Sequence, residues 1–266
     1  MPKRHRTSRP RLKGAAIGVL LAILWLLPAA GGAAAEAQAP ADYQMRVDVE
    51  LLLAVDVSPS VDSHEADQQR QGYLAALAAP EVIAAIASGP LGRIAVTYVE
   101  WAGNNLQRRV VNWRIIQDEA SALAFRAQLA AQTIGRGEGT SISALIDFAR
   151  RDFRDNGILG NRRVVDISGD GPNSLGRPVT EARDSAVAEG IVINGLAIQN
   201  SRMNADTGAP TAFLDQYYED RVIGGPGAFS LVADFDNFAP ILLQKLLREI
   251  TGSSFQLSQD DPAASH

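Results

Sequence analysis

From about residue 47 onward, apolar and polar positions alternate between two periods. The run Leu51-Leu52-Leu53-Ala54-Val55 has no polar alternate position, and a strand of that kind belongs inside a parallel sheet covered on both faces. By the same reading strands are predicted over 47–55, 93–99, 107–115, 163–168, 191–198 and 229–232. Helical periodicity predicts helices over 63–79, 80–88, 118–133, 141–156, 179–189 and 238–250. In the last of these Phe238, Ile241, Leu242, Leu246 and Ile250 share one face, which marks it as packed on the core. Gly190 is a natural stop for the helix at 179–189. The segments 93–99 and 107–115 are joined by a loop too short for a crossover helix, so they pair antiparallel, and the half-polar 107–115 is an edge. The expected fold class is α/β: a doubly wound, mostly parallel central sheet with one antiparallel edge strand and helices on both faces.

Polar residues cluster where these strands end. The first strand closes on Asp56-x-Ser58-x-Ser60, the fourth on Asp166-Ile167-Ser168-Gly169-Asp170-Gly171, and the helix at 141–156 is preceded by Gly139-Thr140. In open α/β sheets ligands bind at the carboxyl ends of the strands. Two aspartates and three hydroxyls make an oxygen-only donor set of the kind that suits a hard divalent cation, and two negative charges balance such an ion. Each piece also has a local alternative. Ser58, Ser60 and Thr140 could cap the helices that follow them, and Asp170-Gly171 could be only a turn.

Taken in order, the three segments resemble the von Willebrand factor A domain over 47–251. The resemblance implies a metal-ion-dependent adhesion site at Asp56, Ser58, Ser60, Thr140 and Asp170, holding Mg2+ (or Mn2+ or Ca2+). It also implies a protein partner that presents an acidic group to the ion. A narrower resemblance is carried by Glu100-Trp101-Ala102-Gly103, by Asp166–Gly171 and by Val222-Ile223-Gly224-Gly225-Pro226-Gly227-Ala228-Phe229. These are similar to a family of exported bacterial von Willebrand A-like proteins with no assigned function.

The N-terminus changes the picture of charge and location. Lys3, Arg4, Arg6, Arg9, Arg11 and Lys13 precede an apolar stretch and the small-residue run Gly31-Gly32-Ala33-Ala34-Ala35. This is the pattern of a secretory signal peptide over 1–35, cut after Ala35 or Ala37, with a short leader over 36–46 and a frayed tail over 252–266. A periplasmic or secreted bacterial protein, with no stable membrane insertion after cleavage, is the expectation. The signal carries six of the 25 basic residues and none of the 30 acidic ones, so the remainder has a net charge near −11. Such a chain is a poor binder of nucleic acid or anionic membrane. It has no Cys, which excludes disulfides, thiolate chemistry and lipid attachment at a cysteine.

Two further acids and two tyrosines complete the candidates. Glu100 ends the second strand at the same sheet edge, and Asp166 lies within an apolar strand where an ionised side chain needs a partner. Both are possible supports of the metal site, against a rim salt bridge for Glu100 and a buried ion pair for Asp166. The connection 199–225 is far longer than the usual ~2–6 residues of such loops, and it places Phe213, Tyr217 and Tyr218 in a short helical stretch at 211–221. Tyr217 and Tyr218 are expected to meet the partner or, alternatively, to pack on the domain. Other chemistries fit less well. The only histidine outside the two termini is His64, no G-x-S-x-G elbow is present, and Ser58 stands where an aspartyl-phosphate enzyme needs a second Asp. Three readings remain: an exported binding module, a metal-dependent hydrolase using Glu100 or Asp166 as base, and a metal-free envelope scaffold.

Overall fold

The computed structural model describes residues 44–199, 213–234 and 237–252. The expected signal peptide, the leader up to residue 43, the stretch 200–212 and the tail from 253 lie outside the described residues. Within them the elements run β1 (Met45–Asp56), α1 (Ser63–Ala76), α2 (Pro80–Ala87), β2 (Ile94–Trp101), β3 (Gln107–Ile116), α3 (Glu119–Ala130) and α4 (Ile142–Asp155). They continue with β4 (Ile158–Gly169), α5 (Val179–Ala188), β5 (Ile191–Ile198), α6 (Leu214–Tyr217), a π-helical turn (Tyr218–Val222), β6 (Ser230–Ala233) and α7 (Phe238–Thr251).

The sheet order is β3-β2-β1-β4-β5-β6. All neighbours are parallel except β2 and β3, so the antiparallel edge expected from the short loop is present. β1 is central and fully covered: Leu51, Leu53 and Val55 pack toward Tyr73, Phe125, Leu242 and Leu246, while Leu52 and Ala54 pack toward Ile142, Leu145, Ile146 and Ala182. That two-sided burial is why the strand reads as a continuous apolar run.

β4 starts at Ile158, five residues earlier than its apolar pattern indicates. Its first half, 158–163, mixes apolar, glycine and polar residues yet pairs in register with 45–50 of β1, and Gly160 N donates to the buried Glu50 Oε1 at 2.7 Å. The pairing register also aligns the functional edge. Asp56 stands level with Trp101 of β2, and Val55 with Ser168 of β4, so Asp56, Trp101 and Gly169 end adjacent strands in one row.

Candidate metal-binding site

Asp56 is the last residue of β1, and the loop after it folds back on its carboxylate. Ser58 N donates to Asp56 Oδ1 at 2.7 Å, Ser58 Oγ and Ser60 Oγ share a hydrogen bond of 3.0 Å, and Ser60 Oγ donates to Asp170 Oδ1 at 2.6 Å. The backbone is fixed from both sides, since Val57 N donates to Trp101 O and Gly137 N to Val57 O. Neither serine caps α1. That role belongs to Asp62, whose Oδ1 accepts from His64 N at 2.8 Å and Glu65 N at 2.9 Å, while Glu65 Oε2 accepts from Asp62 N at 2.9 Å. With the helix end satisfied by this capping box, the Ser58 hydroxyl is left to bond Ser60, and the Ser60 hydroxyl to bond Asp170.

Thr140 follows Gly139, whose φ of 70° gives the left-handed turn that a residue with a Cβ adopts only under strain. Thr140 is buried, its N–H donates to Ser174 Oγ at 3.2 Å, and its carbonyl accepts from Ser174 N and Leu175 N. These bonds strap it to the loop that begins at Asp170. The cap of α4 is the next residue, Ser141, whose Oγ accepts from Ala144 N at 3.3 Å. As at α1, helix capping is done by a neighbour and not by the residue of interest.

The electrostatics leave a charge to be answered. Asp56 has no exposed surface, and its Oδ2 has no hydrogen-bond partner. Burial, and next the nearby Asp170 carboxylate, push its pKa well above the ordinary carboxylate range. Two buried carboxylates of like charge with a lone unpaired oxygen fit a bound cation, which would offset both the desolvation and the repulsion. The donor set is oxygen only and suits magnesium, which takes one or two carboxylates and keeps several waters.

The remaining candidates fall elsewhere. Glu100 is buried and fully engaged, with Arg70 Nη2 and Arg108 Nη2 each at 2.5 Å and Gly135 N at 2.8 Å. Asp166, expected as a possible support of the metal, instead points toward α7 and pairs with Lys245 Nζ at 2.5 Å; Lys245 also pairs with Glu249, and all three side chains are buried. β4 alternates its side chains between the faces, which puts Asp166 on the face opposite Ile167 and Val165. Tyr218, expected to meet a partner, has no exposed surface and belongs to the core beside α4 and α5, so it cannot form a contact surface. Tyr217 is half-buried, and its hydroxyl accepts from Asn173 N at 3.1 Å.

Sequence reading missed Asn173, which binds the site loops together: its Oδ1 accepts from Ser143 N at 2.9 Å, and its Nδ2 donates to Leu175 O at 2.9 Å and Arg177 O at 3.3 Å. An Asn three residues after Asp170 reads locally as an ordinary turn residue, so only the fold reveals this role.

The family model described as "Protein of unknown function (DUF1194)" matches residues 46–254. A search of curated proteins finds no match. Among solved structures, proximal thread matrix protein 1 from the mussel byssus, with a zinc-occupied MIDAS motif, is similar with a TM-score of 0.55 at 13% identity, covering 78% of this chain and 49% of that one. A von Willebrand factor type A protein from Catenulispora acidiphila matches with a TM-score of 0.51 at 12% identity over 77% of this chain and 43% of its own. The pilus adhesin SpaC from Lactobacillus rhamnosus GG matches with a TM-score of 0.54 at 15% identity over 77% and 31%. This chain thus spans about half or less of these three solved chains. With the sheet order, these likenesses make the fold that of a von Willebrand factor A-like domain.

Proposed function

The chain belongs to the DUF1194 family of proteins of unknown function, and from that premise we propose that it is an exported binding module that docks an acidic group of a protein partner through a divalent cation. One observation carries the reading: Asp56, Ser58, Ser60 and Asp170 form a continuous hydrogen-bonded chain at the strand ends, with Asp56 Oδ2 buried and unpartnered. Asp56, Ser58, Ser60, Thr140 and Asp170 would hold the ion, preferably Mg2+ or Mn2+, which when bound supplies an electrophilic point for an incoming carboxylate. The two aspartates just balance a divalent charge. The Ser58 and Ser60 hydroxyls and the capping done by Asp62 keep the loop shaped without adding charge.

Binding is favoured over hydrolysis because the acids that could act as a base are engaged. Glu100 is held by two arginines and Asp166 by Lys245. An acidic chain repels acidic partners in general, so a cation at one point would confine attraction to that point. Export is inferred from the basic, apolar and small-residue segments of the N-terminus. Among the described residues no helix is long and apolar enough to cross a membrane.

The test is capture from native periplasm by the immobilised chain with Mg2+ or with chelator. Capture of a partner that is lost on chelation, and lost again in Asp56→Ala, supports the reading. Equal capture in all three conditions refutes it.

A further inference from the structure

Beneath the metal loop three polar atoms lie without a hydrogen-bond partner: Asp56 Oδ2, the Tyr218 hydroxyl and Trp101 Nε1. None of the three residues has any exposed surface. They converge on Gly169. A Cβ placed on that residue would stand 2.9 Å from the Tyr218 hydroxyl, 3.0 Å from Asp56 Oδ2 and 3.2 Å from Trp101 Cζ2. The row of strand ends explains two members of the group, since Asp56 and Trp101 are register partners. Tyr218 comes from a different part of the chain, at the first position of the π-helical turn that follows α6. Such turns are rare and are found disproportionately at functional sites.

The chemistry of the three atoms is complementary. A buried carboxylate oxygen without a donor is costly, and so is a buried phenol or indole without an acceptor. Here one acceptor and one neutral donor face the space that glycine leaves at residue 169, with the edge of the Trp101 ring beside them. A neutral donor suits a metal ligand better than a basic one, because it offsets the desolvation of the carboxylate without placing a positive charge beside the cation. Hydrogen-bonding partners of ligating groups orient them and tune the metal they hold.

We propose that Tyr218, with Trp101 beside it, is a positioning residue for the cation site: its hydroxyl and Asp56 Oδ2 stand close about Gly169 without a hydrogen bond between them, and when the carboxylate takes the ion the hydroxyl becomes its neutral donor and fixes the orientation of a group whose Oδ1 is already held by Ser58 N. The proposal rests on the reading of Asp56 as a cation ligand. It gives Tyr218 a role beneath the site in place of one on the surface, and it explains why position 169 is glycine between Ser168 and Asp170. Tyr217 ties the same turn to the other side of the site through Asn173, so the two adjacent tyrosines reach the loops of both aspartates.

The experiment uses the purified chain and its Tyr218→Phe variant, with Mn2+ and Mg2+ binding measured by titration calorimetry. Tyr218→Phe should weaken cation binding by about tenfold or more, the range typical of a lost partner of a metal ligand. Its melting temperature in chelator should remain near that of wild type, because removing an unpaired buried hydroxyl is close to neutral. A second measurement needs no variant of Tyr218: the 13C resonance of its Cζ should move on Mg2+ titration of wild type and stay fixed in Asp56→Ala. Wild type that binds no divalent cation would overturn the proposed function and this inference with it. Wild type that binds while Tyr218→Phe binds equally well, or a Cζ resonance indifferent to the ion, would overturn this inference alone.

Discussion

Ser60 donates its hydroxyl to Asp170 Oδ1 at 2.6 Å across 110 positions of sequence. That bond joins the loop after β1 to the loop after β4, and with the Ser58–Ser60 contact it links both aspartates through neutral oxygens. The placing of these candidate ligands is therefore set by strand register, and it survives or fails with the sheet.

Cation addition should stabilise the folded chain. A ligand bound only by the native state at one hundred times its Kd contributes ~2.7 kcal/mol. Differential scanning calorimetry should show a rise in Tm with Mg2+ or Mn2+ that Asp56→Ala abolishes while the variant still unfolds cooperatively. The same rise in both proteins would remove Asp56 from the ligand set.

Capping and ligation can be separated by substitution. Asp62→Ala removes the α1 cap and should cost about 1 kcal/mol, with cation affinity unchanged. Ser58→Ala and Ser60→Ala should lower cation affinity with little loss of stability in chelator. The reverse pattern, read by denaturant melts and calorimetry, would return the serines to a structural role.

The Lys245 group is a structural ion pair on the other face of the sheet. Lys245→Met leaves Asp166 buried without its cation and should cost about 3–5 kcal/mol, as breaking one side of a buried pair does. Adding Asp166→Leu should recover most of that loss. A double variant as unstable as the single one would show that the pair does more than compensate its own burial.

The contribution of Glu249 to stability should decline as pH rises from 4.5 to about 8. Burial first, and then the Asp166 charge, raise the Glu249 carboxyl from 4.5 to about 8, so the folded chain keeps a proton there that the unfolded chain releases. The stabilisation is complete below the unfolded value of 4.5 and disappears as pH rises through about 8. Glu249→Gln should flatten this part of the Tm–pH curve. Parallel curves for the two proteins between those limits would exclude Glu249 as the source.

The sheet and its helices were legible because burial on two faces leaves its mark in every residue of Leu51–Val55, and because a loop as short as that between β2 and β3 permits only antiparallel pairing. The start of β4 was not legible, since Gly160, Asn161, Arg162 and Arg163 interrupt the apolar pattern and its pairing with β1 does not require one. At the site, the identities of the ligand candidates could be read but not their freedom from capping. Asp62 lies two and four residues from Ser60 and Ser58, and Ser141 directly follows Thr140, so sequence alone gives both sets an equal chance at the helix end. The partner of Asp166 was hidden by a distance of 79 residues. A faint signal existed in Lys245 and Glu249, spaced i to i+4 beside the apolar stripe of α7, where a solvated pair would be out of place. The burial of Tyr218 depends on a π-helical turn, which has no recognisable pattern in a single sequence.

Both margins of the sheet are poor templates for strand addition. β3 carries the exposed Arg109, Asn112 and Arg114, and β6, at the opposite margin, is only four residues long. Charged and very short edges are the means by which β proteins avoid pairing with foreign strands. A polypeptide meeting this domain is therefore denied the least selective kind of attachment, backbone to backbone. The margins turn away extended chains whatever their side chains, which is in keeping with the recognition proposed above, by chemistry at the ends of the strands.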